Sequence, residues 1–265
     1  PDVTFSDAKA NIKFVHRRLN DGEIYWIANQ TKQARKFTAS FNVTGKKPQL
    51  WHADTGAKED VSYEMVDGRT RVTLDMPAYD AVFVVFVDDT DVPAVTLAER
   101  TRTAFAEFVQ PWTVSFQAHR GAPSQIALDS LASLTESSEQ GVKYFSGVAT
   151  YTNNFKVAKK SLKKNASSRI LLDLGEVKDL AEVTVNGLPV GVVWHAPYII
   201  DITAAVKVGD NKVDIAVVNP WHNRMVGDMQ PGAETVTYYP IKYYKADEPL
   251  LKSGLIGPAR IVGER

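Results

Sequence analysis

The 265-residue chain contains no cysteine, which excludes a disulfide framework, a thiol nucleophile and a thiolate metal site together. The compartment stays open, since a thiol-free chain can be exported without mispairing. An excess of charge of either sign is also missing, because 31 Lys and Arg balance 31 Asp and Glu. No electrostatic footprint therefore points to nucleic acid or to an anionic membrane. No apolar run approaches the roughly 20 residues that a membrane helix needs. The chain opens at Pro1 without Met or a leader, so a mature or excised fragment is expected. Catalytic signatures are absent too: there is no Gly-x-Ser-x-Gly elbow, His-Glu-x-x-His, Walker loop or dinucleotide fingerprint. The five His residues, at 16, 52, 119, 195 and 222, show no i, i+4 spacing, so a zinc site would need folding alone to bring them together. Helix signals are few. Residues 96–109 read as a short helix or equally as an extended connection, and 125–141 is open between strand, loop and one helical turn.

What the chain does have is strands and turns. Phe14-Val15 and Ile24 to Ala28 flank Asn20-Asp21-Gly22, a hairpin signal. Phe37, Ala39, Phe41 and Val43 alternate with polar residues, as a strand with one buried face does. Tyr63 to Val72 folds about Asp67-Gly68, and Ala81 to Val87 is a continuous apolar strand suited to a sandwich interior. These features predict a small β-sandwich of about seven strands over 1–90. Asp88-Asp89-Thr90-Asp91 and Pro93 break the pattern, giving a predicted linker over 91–107 and a second domain over 108–265. There, Arg169 to Leu174 is a short apolar run after Ser167-Ser168, and Glu182 to Val185 enters Asn186-Gly187 before Val190 to Trp194 resumes. Gly209-Asp210-Asn211 marks a further turn, after which Val213, Ile215 and Val217 alternate with Lys212, Asp214 and Ala216. Short strands with turns about every ten residues predict an all-β chain of two β-sandwich domains.

The order Val185-Asn186-Gly187, Gly191, Trp194, Asp201-Ile202-Thr203, Gly209 and Asn211 resembles the sugar-binding jelly-roll domain of glycoside hydrolase family 2. Upstream, Tyr144 to Gly147, Ala149 to Tyr151 and Phe155 are similar to the early strand of such domains. Asn219 to Asp228 and Gly254 to Pro258 resemble the C-terminal region of glycoside hydrolase family 106, the α-L-rhamnosidases. Residues 12–87 resemble the β-sandwich that follows the catalytic barrel there, through His16-Arg17-Arg18, Glu23 to Asn29, Trp51, Asp54 and Gly56. The resemblance implies a galactose-binding-like jelly roll as the second domain and an extracytoplasmic, bacterial setting. It implies carbohydrate, an oligosaccharide or plant-type glycan, as partner, together with the catalytic domain of the parent protein. It places the catalytic acids in a barrel upstream of Phe14, so this chain alone is expected not to hydrolyse glycosides. No cofactor is expected; jelly-roll sugar modules often hold a structural calcium, for which no ligand set can be named here.

Glycoside hydrolysis needs two carboxyl groups about 5–10 Å apart across the scissile bond. Asp201, Asp228 and Glu234 lie near aromatics, but turn or cap work is the expected role of Asp201. Sugars present an apolar C–H face with a rim of hydroxyls, so their sites pair an aromatic platform with polar donors and acceptors. Two connections offer that pairing: Trp194-His195, and Trp221-His222-Asn223-Arg224 with Asp228. For the second, three readings stand: sugar contact, a domain interface, or structure, in which Trp221 plugs the sandwich end and Arg224 pairs with Asp228. The aromatic run Tyr238-Tyr239-Pro240 and Tyr243-Tyr244 reads as packing or an oligosaccharide surface, and His16-Arg17-Arg18 as packing or contact.

Overall fold

A computed structural model describes residues 1–7, 11–160, 169–238 and 243–265. The chain forms two compact units, Pro1–Glu99 and Arg100–Arg265, each with its own core. Both are all-β sandwiches.

In the first unit, one antiparallel sheet runs Val3–Phe5, Arg35–Phe41, Arg69–Met76, Tyr63–Val66 and Ala94–Val95. The other runs Ile12–Arg18, Glu23–Asn29, Ala81–Asp89, Lys46–Trp51 and Lys58–Asp60. The inward residues of both meet in one cluster around Tyr25, Ile27, Phe37, Phe41, Leu74 and Phe86. Strand alternation supplies that cluster, since period-2 positions share a face. The unit has ten strands among the described residues instead of about seven. The extra ones, such as Val3–Phe5, Lys58–Asp60 and Ala94–Val95, hold only two or three residues. Such segments are too short to show alternation.

The second unit sets a six-stranded sheet against a four-stranded one. The first runs Gln125–Leu128, Trp112–Phe116, Gly147–Val157, Gly209–Asn219, Leu180–Val185 and Leu188–Val193. The second runs Arg102–Ala106, Arg260–Glu264, Arg169–Asp173 and Ile199–Asp201. Trp112, Tyr151, Phe155, Val183, Ile215, Val217, Ile170, Leu172 and Ile261 join the two faces in one core. Burying each large apolar side chain contributes about 1.5–3 kcal/mol.

The predicted linker is corrected by the structure. Ala94–Val95 pairs with Tyr63–Val66 in the first unit, while Arg102–Ala106 pairs with Arg260–Glu264 in the second. Both are edge strands with largely exposed side chains, so no hydrophobic pattern announced them. Of the two readings of 96–109, the extended one holds over Arg102–Ala106. Residues 125–141 contain all three forms: a strand at Gln125–Leu128, a 3₁₀ turn at Leu134–Glu136 and a helical turn at Gln140–Lys143. Ser168 lies outside the described residues.

The motif residues tie one end of the jelly roll. Asn186 and Gly187 take positive φ, 53° and 79°, in the tight turn between Leu180–Val185 and Leu188–Val193. The Asn186 side chain donates to Ala205 O and Asn211 Oδ1, both at 2.8 Å, and accepts from Lys212 N at 3.0 Å. Asn211, buried, closes its own loop through Lys207 and Gly209. Asp201 accepts from Thr203 N at 2.9 Å, and the Thr203 hydroxyl accepts from Ile170 N at 2.8 Å. Asp201 thus does turn work.

Buried Glu264 links three strands, accepting from Arg102 Nε at 2.8 Å and from Arg169. Burial pushes its carboxyl up, but the two guanidiniums outweigh that and hold it below the ordinary range. A lowered pKa contributes stability above the ordinary carboxylate value and loses it as pH falls through the lowered one. Glu264→Gln is expected to cost about 1–3 kcal/mol at pH 7 in urea unfolding, discounted for half-exposed arginines. That difference from the wild-type chain should shrink at acid pH. Asn186→Ala should cost about 2–3 kcal/mol in the same assay, from three lost hydrogen bonds and a strained positive φ.

Candidate functional site

The register of the six-stranded sheet decides which loops share an end. Gly147 pairs with Asn219, Ala149 with Val217, Ala181 with Val217, and Ala181 with Val193. Trp194 therefore leaves the sheet at the same end as Pro220-Trp221, two strands away, or about 10 Å at the usual strand spacing. Phe116, opposite Ala149, ends its strand there too, which brings in the following Gln117 to Arg120. The Asn186 and Asn211 turns lie at the opposite end, since Val185 pairs with Val213.

At this rim the two tryptophans are open: Trp194 is 60% and Trp221 53% exposed. Trp221 does not plug the sandwich. The Arg120 guanidinium lies 5.2 Å from the Trp221 ring centre, in cation–π range, and Trp194 packs edge-on to His195 at 4.7 Å. Each tryptophan thus presents apolar surface beside a nitrogen-rich side chain.

The polar residues after Trp221 are turned to internal use. They lie on the short helix His222–Gly227. His222 Nε2 donates to Pro249 O at 2.9 Å, and its ring meets Tyr244 edge-on at 5.3 Å. Asn223 is fully buried and makes a reciprocal pair with Leu251, donating to its O at 2.7 Å and accepting from its N at 2.9 Å. Arg224 Nε sits 2.9 Å from Asp228 Oδ1, and both residues are buried. Asp228 also accepts from Val236 N at 3.1 Å, Thr237 N at 2.9 Å and the Thr237 hydroxyl. Burial pushes the Asp228 carboxyl up, but Thr237, Val236 and Arg224 together hold it below the ordinary range. These contacts staple the helix to Val236, Thr237, Pro249 and Leu251.

Of the aromatic run, Tyr238 is 97% and Tyr243 75% exposed, whereas Tyr239 and Pro240 lie outside the described residues. In the first unit, His16 stands between Asp2 at 2.5 Å and Glu23 at 2.7 Å and stacks on Tyr25 at 4.2 Å, so it packs within its own sandwich. Among the described residues no three His, Asp or Glu side chains gather as a metal site, and no helix is long and apolar enough to cross a membrane.

Sequence reasoning missed a cleft of about 990 Å³ in the second unit, along the side where Arg102–Ala106 and Arg260–Glu264 approach Trp112 and Asp129. Its walls come from segments more than 150 residues apart in the chain, which no local pattern connects.

The chain is thus a pair of all-β sandwiches, the second with an aromatic rim at one end. The comparisons are specific about which kind. Residues 1–65 match the glycoside hydrolase family 106 description, alpha-L-rhamnosidase, and residues 125–246 match the glycosyl hydrolase 2 galactose-binding domain-like description. All of the chain aligns with 25% of a rhamnosidase structure from Novosphingobium sp. PP1Y, at 47% identity and a TM-score of 0.94. A Formosa agariphila protein named "Putative beta-glucuronidase" is 36% identical over 174 residues, 57% of this chain and 15% of that protein. Both parts of the resemblance read from the sequence are borne out. The chain spans a quarter or less of the length of these relatives.

Because the lowered Asp228 pKa makes its staple strongest above the ordinary carboxylate range, acid should release it as pH falls through the lowered value. Asp228→Asn should loosen the 222–237 segment already at pH 7. Hydrogen exchange should show at least tenfold faster exchange at Val236 and Thr237 in the variant, with Val213 to Val217 unchanged.

Proposed function

We propose that this chain is the non-catalytic, carbohydrate-handling C-terminal region of a secreted bacterial glycoside hydrolase similar to the α-L-rhamnosidases. The observation that carries this reading is the full-length match, at 47% identity, to one quarter of a rhamnosidase. Within that frame the rim of the jelly roll contacts glycan or completes the active site of a catalytic domain. Trp194 and Trp221 are its platforms, with His195 and Arg120 beside them. His222, Asn223, Arg224 and Asp228 hold the loop that presents Trp221. The carboxylates do not form an obvious acid and nucleophile pair: Asp228 is kept ionised by its donors, and Asp201 caps a turn. The parent would act in polysaccharide degradation outside the cytoplasm.

A free-standing carbohydrate-binding module is the second reading, favoured by the two exposed rim tryptophans. A purely structural spacer is the third. Calorimetric titration of the chain with rhamnose-containing oligosaccharides separates them. Rim binding should weaken at least tenfold in Trp221→Ala and Trp194→Ala, about 1.4 kcal/mol or more, and stay intact in Tyr243→Ala. Heat that is absent with every glycan would leave the spacer. No turnover of an aryl rhamnoside is expected from the chain alone, and measurable turnover would refute the non-catalytic assignment.

A further inference from the structure

The side cleft and the rim differ in what their polar groups are doing. At the rim, the side chains of His222, Asn223, Arg224 and Asp228 are engaged with the protein itself. In the cleft, the side chains of Glu107, Gln110, Asp129 and Arg260 have no hydrogen-bond or ion-pair partner among the described residues. Arg260 stands opposite Asp173 across the strand pair, and Asp173 is itself bonded to Gly175 N at 2.9 Å. Donors and acceptors therefore face open space on several sides of one concave surface.

The cleft also has an apolar floor. Phe108, half-buried, tilts against Trp112 with ring centres 4.8 Å apart, and Ala104 and Val262 continue the floor as a cross-strand pair. Its lining is not cationic: Arg260, and Arg102 already held by Glu264, stand against Glu107, Asp129 and Asp173. A polyanion gains nothing from such a lining, and a purely apolar ligand would strand the uncommitted polar groups. A volume near 990 Å³ lies at the upper end of ordinary ligand sites, beyond the needs of one sugar ring. Neutral oligosaccharide combines the required features, with C–H faces for Phe108 and hydroxyl pairs for the carboxylates and guanidinium.

The register separates this place from the rim. Leu128 pairs with Trp112, so Asp129 leaves the sheet at the Trp112 end of that strand, whereas Phe116 at its other end faces the rim. We infer that the side cleft of the second unit is a second glycan subsite, for a neutral oligosaccharide of several residues. It rests on the reading that this region handles carbohydrate, but not on the rim being the contact.

The test uses the 265-residue chain with cellohexaose, xylohexaose and laminarihexaose as neutral probes and trigalacturonate as the charged control. Calorimetry is paired with hydrogen exchange over 102–110 and 256–262. The expected result is saturable binding of at least one neutral hexasaccharide, weakened at least tenfold in Arg260→Ala and Asp129→Ala and retained in Trp221→Ala, with protection of those two segments. Circular dichroism and thermal melting of each variant check that these exposed substitutions leave the fold intact. Binding lost only in Trp221→Ala would overturn the cleft and keep the rim. Preference for trigalacturonate, or no neutral probe bound up to 10-fold above millimolar concentration, would overturn the cleft; the rim then stands or falls on the rhamnose-containing oligosaccharides.

Discussion

The second unit depends on one long antiparallel pairing. Gly147–Val157 and Gly209–Asn219 run together for eleven residue pairs, from Gly147 opposite Asn219 to Val157 opposite Gly209. This ladder sets Ala149, Tyr151 and Phe155 beside Val213, Ile215 and Val217 on one buried face. A slip of one residue by either strand would turn that strand's apolar row outward, so burial fixes the register. The register in turn assigns every loop to an end. Trp194 and Trp221 fall together at one, and the Asn186 and Asn211 turns fall together at the other.

That assignment separates two kinds of work. Residues that carry the family resemblance, such as Asn186, Asp201, Thr203 and Asn211, satisfy backbone groups that the turns would otherwise leave unpaired. Asn211, the buried one of the four, has its amide oxygen and nitrogen bonded within its loop, as a costly buried polar group requires. The groups left outside that bonding are aromatic faces at the rim and, in the side cleft, polar side chains around Phe108. Recognition is proposed to fall to these groups.

Much of the architecture was legible in the sequence. The alternation at Phe37, Ala39 and Phe41 and at Val213, Ile215 and Val217 appears as buried strand faces, and Asn186-Gly187 appears as a hairpin turn with positive φ. The edge strands Ala94–Val95 and Arg102–Ala106 were hidden because their partners, not their own pattern, give them order. The Arg224–Asp228 pair was one of the readings open for that connection, although its setting on a helical turn and the three donors that Thr237 and Val236 bring to Asp228 were not legible. Trp221 carried opposite expectations, plug or platform. The structure leaves it half exposed.

The sequence by itself determined the all-β class, the two-sandwich order, the turn chemistry and the kinship to glycoside hydrolases, because each rests on residue type and spacing over short stretches. Tertiary structure alone decided which polar side chains are consumed by the fold and which are left facing solvent. Asn223 and Glu107 look equally available along the chain, yet one is bonded to Leu251, 28 residues away, and the other lines a cleft. Hydrogen-bond partners so distant are brought together by the sheet register and core packing, and no local pattern of residues encodes them.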